Sequence, residues 1–196
     1  MKLLGGLSPG LLFVVSAPAG TGKTTLVRML TDEFDCVIES VSYTTRKIRP
    51  GEIEGRDYYF VSVVEFKKMA ATGEFYEYAE VFGNYYGTSK KIVEGQLKQG
   101  NHVILVIDTQ GARILKKILH AVYIFIRPPN FEELKKRLHG RKSESHESIE
   151  TRLSWADEEI EASKNYDYVI VNENLTLAYE IFRSIFIAEE HRNRLK

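Results

Sequence analysis

Ten residues near the amino terminus, Ser16-Ala17-Pro18-Ala19-Gly20-Thr21-Gly22-Lys23-Thr24-Thr25, set glycines, a lysine and paired hydroxyls at the spacing that phosphate chemistry uses. Backbone N–H groups of a glycine-rich turn can converge on anionic oxygens, and a helix that starts there adds positive potential. The Lys23 ammonium then reaches the outer phosphates of a nucleotide, and the Thr24 hydroxyl is placed to ligate a magnesium ion. One position departs from the pattern G-x-x-x-x-G-K-[ST]: the first glycine is Ala17, which puts a methyl group at the start of the turn. An ordinary glycine-rich turn is the bland alternative, but it does not call for strand, loop, Lys-Thr pair and helix together.

Other residues carry chemistry further along. Arg46 and Arg49 sit three apart in the basic stretch Ser42–Glu52; this is either a solvated loop or, just downstream of a phosphate loop, a second phosphate site built from guanidinium forks. Glu77 falls among Tyr76, Tyr78, Phe82, Tyr85 and Tyr86, an acid on a half-buried strand that needs a partner or a function. Asp108 ends the apolar run from His102 to Ile107, where it faces a ligand crevice or caps the next helix. Arg137, Arg141 and Arg152 lie in a charged stretch, 133–152, either a salt-bridged helical hairpin or a mobile lid that brings cations late and excludes water.

Positioning these groups requires a repeating scaffold. Leu11–Val15 is a buried strand, and Leu26, Val27, Leu30 and Phe34 follow at helical spacing. Cys36–Val41 and Tyr58–Val63 read as strands, Val64–Thr72 as a short helix, and 74–88 as an antiparallel hairpin turning at Gly83 and Asn84. Helix 89–99, strand 102–107, strand 121–126, a helix capped by Asn130, strand 167–171 and a closing helix 175–195 complete the chain. Strands alternating with helices predict an α/β fold on a parallel sheet with right-handed crossovers.

Composition narrows the function. The chain's 27 basic and 27 acidic residues balance, which argues against sequence-independent binding to nucleic acid or to an anionic membrane. Cys36 is the only cysteine, so no internal disulfide forms, and the five histidines show no zinc spacing. Lys2, the apolar residues to Val15 and Ala17-Pro18-Ala19 imitate a secretory signal, but glycines, Ser8 and Pro9 interrupt the run and cleavage would destroy the loop. A cytoplasmic, non-membrane protein of one domain with appended lobes is expected.

The blocks Ser42-x-Thr44-Thr45-Arg46-x-x-Arg49-Pro50-Gly51-Glu52, Gly83-Asn84-Tyr85-Tyr86-Gly87-Thr88, Ile107-Asp108-x-Gln110-Gly111-Ala112 and Leu138-x-Gly140-Arg141 follow the loop in order. Together they resemble the guanylate kinase family over nearly the whole chain. The resemblance implies a P-loop three-layer fold with a central parallel sheet, a small mixed α/β insertion and a helical lid. Its core would comprise residues 1–41 (with the loop at 17–24), 89–132 and 166–196, its GMP-binding insertion 42–88 and its lid 133–165. It implies magnesium-dependent transfer of a phosphoryl group from ATP to GMP by a cytoplasmic monomer or homodimer. Ala17, Pro18, Ala19, Gly20, Thr21, Gly22, Lys23, Thr24, Thr25 and Asn172 would hold ATP, with Lys23, Arg137, Arg141 and Arg152 around the moving group. Arg46, Arg49, Tyr58 and Tyr86 would hold the GMP phosphate, with Asp108 nearby, while Ser42, Glu77 and Thr88 would read guanine. Guanine offers N1–H and N2 amino donors and the O6 acceptor, which one carboxylate and hydroxyls complement.

Val106 departs from the family, which usually carries an acid two residues before the Asp108 position. Val106 is therefore expected to pack in the sheet core at the edge of the active site rather than open to water, with magnesium on Thr24, phosphate oxygens and waters, and Asp108 at most an outer partner. A non-catalytic scaffold on the same fold and a kinase for another monophosphate are the rival readings.

Overall fold

The structure, a computed structural model, describes residues 2–81, 83–139 and 146–193. Strand β1 (Leu12–Ser16) is buried along its whole length, as an apolar run covered on both faces must be. Its side chains alternate: Phe13 and Val15 join one hydrophobic cluster, Leu12 and Val14 the other.

Helix α1 (Lys23–Glu33) leads to β2 (Val37–Glu39), β3 (Tyr43–Thr44), β4 (Tyr59–Phe60), α2 (Val63–Ala71) and the hairpin β5 (Phe75–Val81) and β6 (Asn84–Ser89). Helix α3 (Lys90–Lys98), β7 (His102–Val106), α4 (Thr109–Leu115), β8 (Val122–Arg127) and α5 (Phe131–His139) follow, then α6 (His146–Ala162), β9 (Tyr168–Val171) and α7 (Leu175–Glu190). Five strands form one sheet in the order β2-β7-β1-β8-β9, with every pairing parallel. Leu26, Val27 and Leu30 of α1 and Phe182 and Phe186 of α7 pack on one face, Val93 of α3 and Ala112 and Leu115 of α4 on the other. Phe186 stacks on Phe13 at 3.7 Å between ring centroids, a contact whose truncation to alanine costs about 3–5 kcal/mol. No described helix is long and apolar enough to cross a membrane.

A second sheet, β4-β3-β6-β5, is antiparallel except for the β3–β4 pair. Helix α2 closes it, with Phe66 stacked on Phe75 at 4.7 Å and on Tyr85 at 5.5 Å. On the other side of the phosphate loop, Leu134 and Leu138 of α5 meet Leu153 and Ala156 of α6, with Ala19 of the loop against them.

Several elements are shorter than the sequence predicts. The strand read at 58–63 joins the sheet over Tyr59–Phe60, with Tyr58 in an isolated bridge to Glu54, and it stops early because Ser62 is taken as the N-cap of α2 and accepts from Glu65 N at 3.1 Å. The strand read at 36–41 stops at Glu39, where the chain leaves the first sheet for the second. The closing helix ends at Glu190 rather than Leu195, its carboxylate accepting from Gly5 N at 2.9 Å and Gly6 N at 2.6 Å. The same carboxylate meets Nε2 of His102, which is fully buried, and His102 Nδ1 accepts from Leu11 N at 3.0 Å. Cys36 is partly covered and packs against the core cluster.

Candidate active site

Phosphate-loop geometry begins where β1 ends. Gly20 and Gly22 have φ of 88° and 90°, left-handed conformations that a Cβ disfavours. Gly22 is the N-cap of α1 and its carbonyl accepts from Leu26 N at 3.1 Å. Thr21 folds back on Pro18, its hydroxyl donating to the Pro18 carbonyl at 2.8 Å. From just beyond β9, Asn172 Nδ2 donates to the Thr21 carbonyl at 2.7 Å. A Cβ on Gly22 would stand 2.5 Å from that nitrogen, so the loop needs glycine there for space as well as for φ. Ala17, 4% exposed, packs into the core cluster, so its methyl is absorbed by packing and does not intrude on the turn.

Lys23 opens α1 amid three carboxylates on three elements: Glu39 on β2, Asp108 after β7 and Glu159 on α6. Burial lowers the Lys23 pKa, and the fields of Glu159, Asp108 and Glu39 oppose that. Burial likewise raises Glu159 to about 7, with Lys23 pulling it down and Asp108 pushing it up. Asp108 is oriented as the N-cap of α4, its Oδ1 accepting from Gly111 N at 2.8 Å, so the capping reading holds, and the residue also lines a cavity.

Glu77, 6% exposed, accepts from the Thr88 hydroxyl at 2.6 Å. Burial raises its pKa to about 7, the Thr88 bond opposing and Asp108 adding to the shift. Its other oxygen lies against Gly111, where a Cβ would approach Oε2 to 3.0 Å. Lys23, Thr24, Ser42, Tyr58, Glu77 and Asp108 line one cavity of about 230 Å³. Val106 also faces it: the residue packs against the core cluster at the edge of the cavity, as expected, but is half-buried rather than closed to water.

At the rim, Arg46 is forked onto Glu52 at 3.0 and 2.7 Å and lies over the Tyr58 ring, 5.3 Å from its centroid. Tyr58 and Tyr86 meet edge to face at 5.8 Å. Arg49 is exposed on the same turn, with its backbone N–H on Glu52 at 2.8 Å. Arg137 donates to Glu133 at 2.9 Å and to the Asn172 carbonyl at 3.0 Å, so it lies beside the loop tether. Arg141 lies outside the described residues, as does the side chain of Arg152.

Two residues were missed by sequence reasoning. Glu39 ends an apolar run, the same signal that singled out Asp108. Glu159 sits among the acids of α6, and only the fold brings it to Lys23.

A family model described as guanylate kinase matches residues 10–189. A protein of Protochlamydia amoebophila named guanylate kinase is 56% identical over 191 residues, 97% of each chain. One of the same name from Geobacter sulfurreducens is 52% identical over 184 residues, 93% of this chain and 91% of its own. The crystal structure of guanylate kinase from Anaplasma phagocytophilum superposes with a TM-score of 0.79 at 39% identity, covering 95% of this chain and 89% of that one.

Proposed function

The chain belongs to the guanylate kinase family, and from that premise we propose how its residues divide the transfer of a phosphoryl group from ATP to GMP. The protein is an ATP:GMP phosphotransferase. The observation that carries the division of labour is the shared cavity, in which a buried carboxylate suited to a base, Glu77, and a half-buried lysine suited to phosphates, Lys23, face the same space.

Residues 42–88 hold GMP. The Glu77 carboxylate accepts from guanine N1–H and the N2 amino group, while Ser42 and Thr88 supply hydroxyls. Adenine presents an acceptor at N1 and would face Glu77 lone pair to lone pair. Arg46, Arg49, Tyr58 and Tyr86 hold the GMP phosphate, and Arg46 exchanges Glu52 for it, a substitution of one bidentate oxyanion partner by another. Ala17 to Thr25, with Asn172 behind them, cradle ATP. Residues 133–165 act as a lid, with Arg137, Arg141 and Arg152 supplying its cations.

The acceptor needs no general base, because a phosphate monoester with a second pKa near 6 is mostly dianionic at neutral pH. Lys23 and the arginines therefore act by aligning two phosphates and neutralising the charge between them. Magnesium fits the donors present. Thr24 offers a hydroxyl on the cleft wall, and the described residues form no cluster of three acids, histidines or cysteines that would cage a metal. That suits an ion which keeps waters and rests on nucleotide oxygens. When bound with ATP it supplies charge neutralisation.

The experiment is ADP release measured with ATP over a panel of nucleoside monophosphates. GMP should be preferred over AMP, CMP and UMP by several orders of magnitude in kcat/KM. Comparable turnover of AMP would overturn the role given to Glu77, and no turnover of any monophosphate would leave only a binding scaffold.

A further inference from the structure

Val106 brings no oxygen to the phosphate end of the cleft, but the strand beside it does. β2 runs parallel to β7 with Glu39 opposite Ile104. Paired residues of neighbouring strands share a face of the sheet, and so do residues two apart on one strand. Glu39, Ile104 and Val106 therefore project to one side, which Ile104 identifies as the side packed under α1.

Glu39, Val106 and Thr24 line a second cleft of about 690 Å³ between the two sheets. The cleft holds other acids, and two of them are engaged. Glu52 is forked by Arg46; Asp57 accepts from Ile53 N and Arg56 and stands 3.7 Å from Arg28. Asp32 lies further along α1, beyond Arg28. Glu39 makes no side-chain hydrogen bond or ion pair with another described residue, although its field reaches Arg28 and Lys23.

We propose that Glu39 is the carboxylate that orients magnesium through its water shell when the metal nucleotide docks on Thr24, doing from β2 what Val106 cannot do from β7. It is a positioning residue, not a direct ligand, and its assignment rests on the phosphotransferase reading above. Burial raises the Glu39 pKa, against the opposing fields of Arg28 and Lys23 and with that of Asp57. A carboxylate held in a cleft without a contacting cation is the group that an arriving cation relieves. Oriented waters on magnesium need such acceptors, and the loss of one outer-shell partner weakens metal binding roughly ten- to a hundredfold.

The test is calorimetric titration of ADP into wild type, Glu39→Gln and Glu39→Gln/Val106→Asp, in EDTA and over a magnesium series, with a melting curve to verify each fold. In EDTA all three should bind ADP within about threefold of one another. The magnesium needed for half-maximal gain in affinity should rise roughly tenfold in Glu39→Gln. Val106→Asp should restore it, because both positions look into the same space. Equal losses with and without magnesium would make Glu39 a plain counter-ion of Lys23, and an unchanged magnesium dependence would remove any role toward the metal. Either result overturns the proposal while leaving the phosphotransferase reading intact, whereas a wild type that binds no ADP would overturn both. If Glu39→Gln does not fold, Glu39→Asp, which shortens the reach and keeps the charge, should show the same shift in magnesium requirement.

Discussion

Where the central strands begin, His102 and Glu190 are buried together and each polar atom of the pair has a protein partner: Leu11 N on one side, Gly5 N and Gly6 N on the other. Where the same strands end, Lys23, Glu39 and Glu159 are half-buried and meet mainly through their fields, while the buried Glu77 keeps one hydroxyl partner, Thr88, and feels the field of Asp108. The consequences for ionisation run in opposite directions. Glu190 is held below the usual carboxylate range, burial being outweighed by the glycine N–H groups and His102. Burial lifts Glu77 and Glu159 to about 7. One end is complete within the chain and stabilises it; on the proposed function, the charges at the other are completed by a ligand.

That contrast can be broken by mutation. The largest effect should come from Lys23→Ala, which removes the cation at the phosphates and should lower kcat roughly a hundred- to a thousandfold. Its thermal midpoint should hold or rise, since an ammonium buried at a cost is gone, and a large drop in the melting curve would place Lys23 with the structural charges. Glu190→Ala should do the reverse. Leaving His102 and two glycine N–H groups unpaired should cost about 3 kcal/mol in urea unfolding, while kcat/KM per folded molecule stays within about twofold.

Glu77→Gln keeps size but sets an amide against guanine's donors, a mispairing of about 1–3 kcal/mol. GMP kcat/KM should fall roughly ten- to a hundredfold. A mutant with wild-type kcat/KM for GMP would remove Glu77 from base recognition.

The smallest effect lies in the pH dependence of stability. Glu77, raised in the fold from an ordinary 4.5 to about 7, makes the native state bind more protons between those values. Its contribution is full below the lower value and is lost as pH rises through the upper one. Glu190, lowered in the fold from 4.5, contributes above that value, and its contribution is lost as pH falls through its folded pKa. Relative to wild type, Glu77→Gln should therefore gain about 1–2 kcal/mol between pH 5 and 8. The penalty of Glu190→Ala should shrink as pH falls below the ordinary carboxylate range. Parallel profiles for both mutants would erase the distinction between the two ends.

Much of this is legible along the chain, because its signals are local. The apolar runs of β1 and β7, the Asn130 cap and the hairpin at 75–89 each follow from spacing within about ten residues. Glu77 was legible as an acid out of place. What the sequence hides is set at long range. The point where α7 stops is fixed by glycines 184 and 185 positions earlier, and no periodicity reports it. Asn172 enters only through the resemblance, among the residues that would hold ATP, and nothing near it in the chain announces the bond from its amide to the Thr21 carbonyl. Glu159 carries no local mark, since its neighbours on α6 are acids too. Ser62 could have been read, because a serine three residues before a glutamate is a helix start.

The bond from Asn172 to Thr21 spans 151 positions, and that separation has a consequence in time. On the ribosome the loop is made long before its tether. At about 5–20 residues per second, synthesis leaves the motif untethered for roughly ten to thirty seconds. A nascent chain therefore carries every residue of the nucleotide motif long before it carries the loop's final shape. Nucleotide capture should switch on only when β9 has docked, which makes tight ADP binding by stalled chains a clock for the last stage of folding.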